Sequence, residues 1–241
     1  MENLKPENYK EFKEKFNYND PNYAFYYKFI KRPISYPLTW WVFKNTNYTP
    51  NQLTLMGVVI VLLSALFFSI GTYVMVIFGA ILFFVFEIFD DFDGVIARGK
   101  GLTSKRGAWF DTMGGIFGKV IVMFGISIGL YNSLEESKYL ILGLIAIAAY
   151  TLANILDMSI KIYFTNKKHK KLKFAEHKPD PKTLGGKLSI LSESIMNLWY
   201  VLLILGGLTN MLYLFIWFAA IYYSIYTVSQ FIYRSRFYRN Q

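Results

Sequence analysis

Apolar residues in this chain come in runs of about twenty, the length an α-helix needs to cross a bilayer, separated by short polar connections. These runs predict six membrane spans, at roughly residues 53–71, 73–91, 110–131, 138–163, 189–208 and 210–232. We therefore expect an all-α integral membrane fold whose six transmembrane helices form one domain.

The segment before the first run has a different pattern. Between residues 22 and 45, aromatic side chains alternate with basic ones such as Lys31 and Arg32. This pattern is typical of an amphipathic helix lying in the headgroup region, although an ordinary helix packed on the loops is an alternative. Pro33 and Pro37 are expected to break that helix into pieces. The predicted organisation is an N-terminal tail at 1–21, an interfacial amphipathic helix at 22–45 and a membrane domain at 46–241.

The net charge of +10 is distributed unevenly. All but two of the 26 Lys and Arg residues lie in four regions: residues 1–45, the connection 90–109, the region 161–188 and the C-terminal tail. With six spans these regions share one side, which the positive-inside rule assigns to the cytoplasm. The charge thus predicts a multi-pass protein of the cell membrane with both termini cytoplasmic, and it argues against binding to nucleic acid.

Carboxylates, an arginine and glycines cluster where the second span ends and the third begins. The sequence reads D-D-F-D-G-V-I-A-R, then eight residues, then G-A-W-F-D-T-M-G-G. Asp90 and Asp93 are three residues apart, so on a helix they project from one face, and Asp111 begins the next span. Acidic groups at a membrane boundary are costly unless a positive charge neutralises them, and oxygen ligands suit Mg²⁺ or Mn²⁺. Salt bridges with nearby basic residues would explain two or three of these charges, but not the whole spaced set.

The spacing of this cluster resembles the signature of the CDP-alcohol phosphotransferases, D-x2-D-G-x2-A-R-x8-G-x3-D-x3-D. Seven of the eight fixed positions are matched, and the eighth, an aspartate in the family, falls on Gly115. The matching residues are Asp90, Asp93, Gly94, Ala97, Arg98, Gly107 and Asp111.

The resemblance implies metal-dependent transfer of a phosphatidyl or phospho-alkyl group from a CDP-lipid to a hydroxyl acceptor, with release of CMP, in phospholipid biosynthesis. It implies Mg²⁺ or Mn²⁺ as cofactor, held by Asp90, Asp93 and Asp111. The segment T-P-N-Q-L-T, which begins at Thr49, also resembles the family's entry to its first membrane helix. The implied nucleotide-binding residues are Asn51, Thr54, Asp90, Gly94, Arg98 and Gly107.

Gly115 stands where the resemblance implies the general base. The catalytic base is therefore unknown, and Glu87, Asp157 and Lys119 are possible substitutes. The alternative is a pseudoenzyme that binds nucleotide or CDP-lipid without turnover.

Polar residues inside the spans predict where the polar alcohol or phospho-alcohol acceptor binds. The fourth span carries them at i, i+3 and i+7. The expected acceptor-binding residues are Lys119, Asn154, Asp157 and Lys161. Pairing of Lys119 with Asp157 across helices is an equally good interpretation.

The third span also contains two small-residue pairs, Gly114 with Gly118 and Gly125 with Gly129. Small residues four apart allow close approach of two helices. They suit the homodimer that the resemblance implies, or they tighten packing within one chain.

Overall fold

The computed structural model of the chain describes residues 6–16, 26–166 and 199–239. Within these ranges the fold is all-α. The helices are α1 Tyr9–Lys15, α2 Arg32–Asn45, α3 Pro50–Ile70, α4 Tyr73–Gly99, α5 Lys105–Leu134, α6 Lys138–Asn166, α7 Trp199–Leu208 and α8 Leu212–Arg239.

Five of these helices, α3, α4, α5, α6 and α8, are long and apolar enough to cross a membrane. They confirm the integral membrane fold predicted from the apolar runs. The described part of the predicted fifth span is the shorter apolar helix α7, and residues 189–198 of that span lie outside the described residues. Large apolar side chains on the outer faces, such as Leu55, Leu144 and Ile225, are more than half exposed, as expected where helices face lipid.

Close packing between α3 and α5 depends on the second glycine pair. A Cβ atom at Gly125 would collide with the carbonyl group of Ala65, and one at Gly129 would collide with that of Phe68. These glycines therefore allow the backbones of α3 and α5 to approach closely. Of the two roles expected for such glycines, homodimer formation and packing within one chain, this pair has the second.

The amphipathic segment forms one helix, α2, preceded by a π-helical turn at Tyr27–Lys31. The expectation that its prolines break it was wrong. Pro33 lies in the first turn, where no amide hydrogen bond is needed, and Pro37 removes only one bond from a helix that packs on α4. Its apolar side chains Ile34, Leu38 and Trp41 are exposed along one face, whereas Ser35 and Thr39 are buried. A helix with an apolar outer face is suited to lipid.

Helix α4 continues to Gly99, well past the predicted span end at residue 91. The acidic half of the motif therefore lies on the last turns of a continuous helix rather than in a connection. Because α3 begins, α4 ends and α5 begins at the same end of the bundle, the motif residues are brought to one place.

Candidate active site

The largest motif-lined space, here called the motif cavity, has a volume of about 380 Å³. It lies among the start of α3, the end of α4 and the start of α5. Every predicted nucleotide-binding residue except Asp90 lines it, together with the predicted metal ligands Asp93 and Asp111. The lining residues that belong to those predictions are Asn51, Thr54, Asp93, Gly94, Arg98, Gly107 and Asp111.

Local structure at the start of α3 leaves Asn51 and Thr54 facing the cavity. Thr49 is the cap: its side-chain oxygen accepts from the Gln52 amide at 3.4 Å, and Gln52 Oε1 accepts from the Thr49 amide at 2.9 Å. Because Thr49 and Gln52 cap the helix, the side chain of Asn51 is not needed as its cap. Thr54 Oγ1 donates a hydrogen bond of 2.5 Å to Asp93 Oδ2, so α3 holds one carboxylate of the motif directly.

The glycines of the motif have separate roles. Arg98 folds over Gly94, since a Cβ at Gly94 would stand 3.5 Å from the Arg98 Nη1 atom. The Gly107 amide donates to Ser104 Oγ at 2.9 Å, which caps α5. Gly107 thus contributes to the cavity wall while its amide serves the helix start. The guanidinium of Arg98 can donate two parallel hydrogen bonds to one phosphate group.

Next to the motif cavity is a much smaller space, here called the carboxylate pocket, of about 10 Å³. All three predicted metal ligands, Asp90, Asp93 and Asp111, line it, as do Gly114 and Gly115. In the described part of the chain, no three acidic or histidine side chains already stand close enough to hold a metal ion. The three carboxylates share a pocket, but their side chains would have to turn inward to coordinate one ion.

The donor set nevertheless fits a hard divalent cation. Asp93 Oδ1 is buried and has no hydrogen-bond partner among the described residues, although its Oδ2 is bonded to Thr54. A buried carboxylate oxygen left in this state is costly unless a cation or a donor satisfies it. Carboxylate oxygens are the ligands that Mg²⁺ prefers, and here they lie beside a cavity that also contains Arg98.

Gly115 lies directly opposite Asp90. A Cβ placed on Gly115 would stand 4.0 Å from Asp90 Oδ1, which is ordinary van der Waals contact. A Cβ atom at this position would therefore be accommodated, and a carboxylate carried on it would lie next to Asp90 and the carboxylate pocket.

Sequence reasoning missed one charged residue at the site. Lys31, which it assigned to the interfacial surface, is only 1% exposed. Its Nζ lies 3.1 Å from Asp91 Oδ1, 3.5 Å from Glu87 Oε2 and 3.9 Å from Asp90 Oδ2. Burial by itself lowers the pKa of Lys31, but attraction to the three carboxylates outweighs burial and raises that pKa well above its ordinary value. No local sequence signal could reveal this pairing, because the partners are more than fifty residues away.

A third space, here called the aromatic cavity, has a volume of about 180 Å³. The predicted acceptor residues Lys119, Asn154 and Asp157 all line it. Lys161 lies in the last turns of α6, where side chains are outside the described part. The remaining wall is mostly aromatic: Tyr27, Tyr150, Trp199, Tyr200, Tyr223 and Tyr226. Lys119 Nζ stands 5.3 Å from the Tyr200 ring centre, which is cation–π range.

The fold and site define a multi-pass all-α membrane protein with a carboxylate- and arginine-lined cavity at one end of its bundle. A family model described as CDP-alcohol phosphatidyltransferase matches residues 47–222. The chain belongs to the CDP-alcohol phosphatidyltransferase family.

The known proteins that are similar to this chain include a curated relative and a protein of known structure. An archaetidylinositol phosphate synthase from Pyrococcus horikoshii is 33% identical over 85 residues, which are 35% of this chain and 44% of that protein. The chain thus matches less than half the length of that relative. The crystal structure of a phosphatidylinositol phosphate synthase from Mycobacterium tuberculosis, with CDP-DAG bound, superimposes with a TM-score of 0.56. That match covers 83% of this chain and 92% of the other, and at 17% identity it is a likeness of fold.

Proposed function

We propose that the protein transfers a phosphatidyl or phospho-alkyl group from a CDP-lipid to a hydroxyl acceptor, releasing CMP, in phospholipid biosynthesis. Family membership supports the reaction class. The observation that carries the proposal for this chain is the motif cavity, where Asp93, Asp111 and Arg98 converge on a space of about 380 Å³. A nucleoside diphosphate needs such a combination of cationic and metal-binding groups.

In the proposed reaction, the acceptor oxygen forms a bond to the phosphorus nearer the lipid. The bond between that phosphorus and the bridging oxygen breaks, and CMP leaves with that oxygen. Arg98 contacts phosphate oxygens, while Asn51 and Thr54 lie at the helix start nearest the nucleotide. Asp90, Asp93 and Asp111 would hold Mg²⁺ or Mn²⁺, which would neutralise charge on the pyrophosphate.

The acceptor, a polar alcohol or phospho-alcohol, is proposed to use the polar groups of the aromatic cavity. Lys119 supplies a positive charge there, and Asn154 and Asp157 supply hydrogen-bonding groups. Both cofactor and acceptor would then be held by one chain, within a homodimer in the cell membrane whose active site faces the cytoplasm.

The proton of the acceptor hydroxyl needs a recipient other than position 115. Glu87 is almost fully buried and ion-paired with Lys31, which makes it a poor candidate. Asp157 lines the aromatic cavity, where the acceptor is proposed to bind. A phosphate on the acceptor itself is the other candidate recipient.

One observation favours a second function. Position 115 faces Asp90 and the carboxylate pocket but carries no side chain. A protein that binds CDP-lipid without transferring it would have this feature. The two functions are distinguished by measuring CDP-lipid binding and CMP release in the same preparation of purified protein. Mg²⁺-dependent binding with acceptor-dependent CMP release supports the transferase, and binding with no release on any acceptor supports the pseudoenzyme.

A further inference from the structure

The N-terminal segment, which lies outside the matched residues 47–222, reaches into the site. Lys31 is the last residue of the π-helical turn before α2, and its ammonium group is buried against α4. Turns of this kind occur frequently at functional sites, because the extra residue redirects a side chain. Here the redirected side chain meets the acidic motif.

Asp90 is held between two features of the site. Its Oδ2 faces Lys31 Nζ at 3.9 Å, and its Oδ1 faces the position of a Cβ on Gly115 at 4.0 Å. The Lys31 ammonium therefore lies beside the oxygen of Asp90 that is not the one next to Gly115. Asp93 has a corresponding support, the 2.5 Å hydrogen bond from Thr54.

Lys31 also balances the negative charges of Glu87 and Asp91, the two other carboxylates next to its ammonium group. Glu87 is 2% exposed, and Asp91 Oδ1 is the closest carboxylate oxygen at 3.1 Å. Without the ammonium, three neighbouring carboxylates would repel one another, one of them the buried Glu87. Asp90, as the member nearest the pocket, would turn away.

The same segment also borders the aromatic cavity. Tyr27, one turn before Lys31, lines that cavity, and Lys31 Nζ stands 5.0 Å from its ring centre. The π-helical turn is therefore a common wall of the two regions where donor and acceptor are proposed to bind.

We infer that Lys31 is a positioning residue for Asp90, so that the N-terminal amphipathic helix is a part of the active site and not only a membrane anchor. The inference rests on the proposed function, because Asp90 matters here as a proposed metal ligand.

The test compares Lys31→Met and Lys31→Arg with Lys28→Met, a matched control on the same segment whose lysine is exposed. Mn²⁺ binding to detergent-solubilised protein is followed by electron paramagnetic resonance, and CDP-diacylglycerol binding is titrated against Mg²⁺. Loss of a group that orients a metal ligand typically weakens metal affinity about 10–100-fold. We expect a weakening in that range for Lys31→Met, most of it recovered in Lys31→Arg, and no change for Lys28→Met.

A double variant separates positioning from folding. In Lys31→Met/Asp91→Asn the shortest ion pair is removed as a whole, so the net charge of the cluster is unchanged. If Lys31 positions Asp90, the double variant unfolds at nearly the wild-type temperature yet still binds Mn²⁺ weakly, whereas Asp91→Asn alone binds it normally. If the double variant regains normal Mn²⁺ affinity, or if Lys31→Met never loses it, the inference is wrong. If the wild-type protein itself shows no Mg²⁺-dependent binding of CDP-diacylglycerol, the proposed function fails instead.

Discussion

At the residue scale, the most consequential position is Gly115. Its Cα lies beside the carboxylate pocket, and a Cβ atom there would be in ordinary van der Waals contact with Asp90 Oδ1. A carboxylate at this position would therefore bring a further negative charge next to Asp90.

We expect Gly115→Asp to leave CMP release unchanged or to lower it. The new carboxylate would lie against Asp90, whose other oxygen is already balanced by Lys31, and it would crowd a site that uses a different proton acceptor. Gly115→Asn is the matched control for side-chain size. A positioned base contributes about 10²–10⁴-fold, so a hundredfold rise in CMP release with ordinary acceptors would show that Gly115 is the sole defect.

The three carboxylates that line the pocket are expected to act together. Replacing Asp90, Asp93 or Asp111 with Asn should weaken Mg²⁺-dependent binding of CDP-lipid by about tenfold or more, because each removes an anionic metal ligand. Asp91→Asn is the neighbouring control, since Asp91 pairs with Lys31. If Asp91→Asn and Asp93→Asn weakened this binding equally, the assignment of Asp93, but not Asp91, to the metal-binding face of α4 would be wrong. Titration of bound Mn²⁺ in the wild-type protein should give one firmly held ion.

At the element scale, apolar run length predicted the membrane helices well, because lipid imposes one length requirement on every span. It placed the end of α4 too early, since the charged residues from Asp90 to Arg98 end the apolar run although the backbone remains helical to Gly99. The apolar run shows where contact with lipid ends, but not where the helix ends, because a helix can continue beyond the lipid into water or protein.

Several residues that motif spacing singled out lie around one cavity, because the x8 gap spans only a short turn between α4 and α5. Their roles in binding stay predictions. Motif spacing could not predict Lys31. The pattern around residues 22–45 is satisfied equally well by a lysine in the headgroup region and by one buried against α4. Only the three-dimensional packing of α2 on α4 distinguishes these, and that packing depends on residues remote in sequence.

The contact between α3 and α5 gives a prediction at this scale. Gly129→Ala and Gly125→Ala should each lower stability by about 1–3 kcal/mol, because the added methyl group overpacks a backbone-to-backbone contact. Gly114→Ala is the control on the same helix, as its Cβ would stand 3.9 Å from the nearest atom, Thr54 Cγ2. Thermal unfolding in detergent checks this. Equal unfolding temperatures for all three variants would contradict the packing described.

At the scale of the whole molecule, the placement of basic residues predicts which end of the bundle faces the cytoplasm. The motif cavity lies at the end where α4 stops and α5 starts, and the turn between α5 and α6 lies at the other end. The chain contains no cysteine, so single cysteines report on exposure without background.

We expect Ser137→Cys, in the turn between α5 and α6, to react with a membrane-impermeant maleimide added to intact cells. Lys105→Cys, at the start of α5, should react only after the membrane is permeabilised. The reason is the positive-inside rule, which assigns the side that carries Lys100, Lys105 and Arg106 to the cytoplasm. The reverse labelling pattern would place the active site outside and overturn the proposed orientation.

Transfer of a group from CDP-lipid despite glycine at position 115 is measured as CMP release from CDP-diacylglycerol by the purified protein, with Mg²⁺ and a panel of acceptors that includes inositol phosphate, glycerol phosphate, serine and a sugar alcohol. We expect CMP release that depends on one acceptor class, requires the divalent ion and is lost in Asp111→Asn. Tight binding of CDP-diacylglycerol with no CMP release on any acceptor would show that the protein does not carry out the proposed transfer.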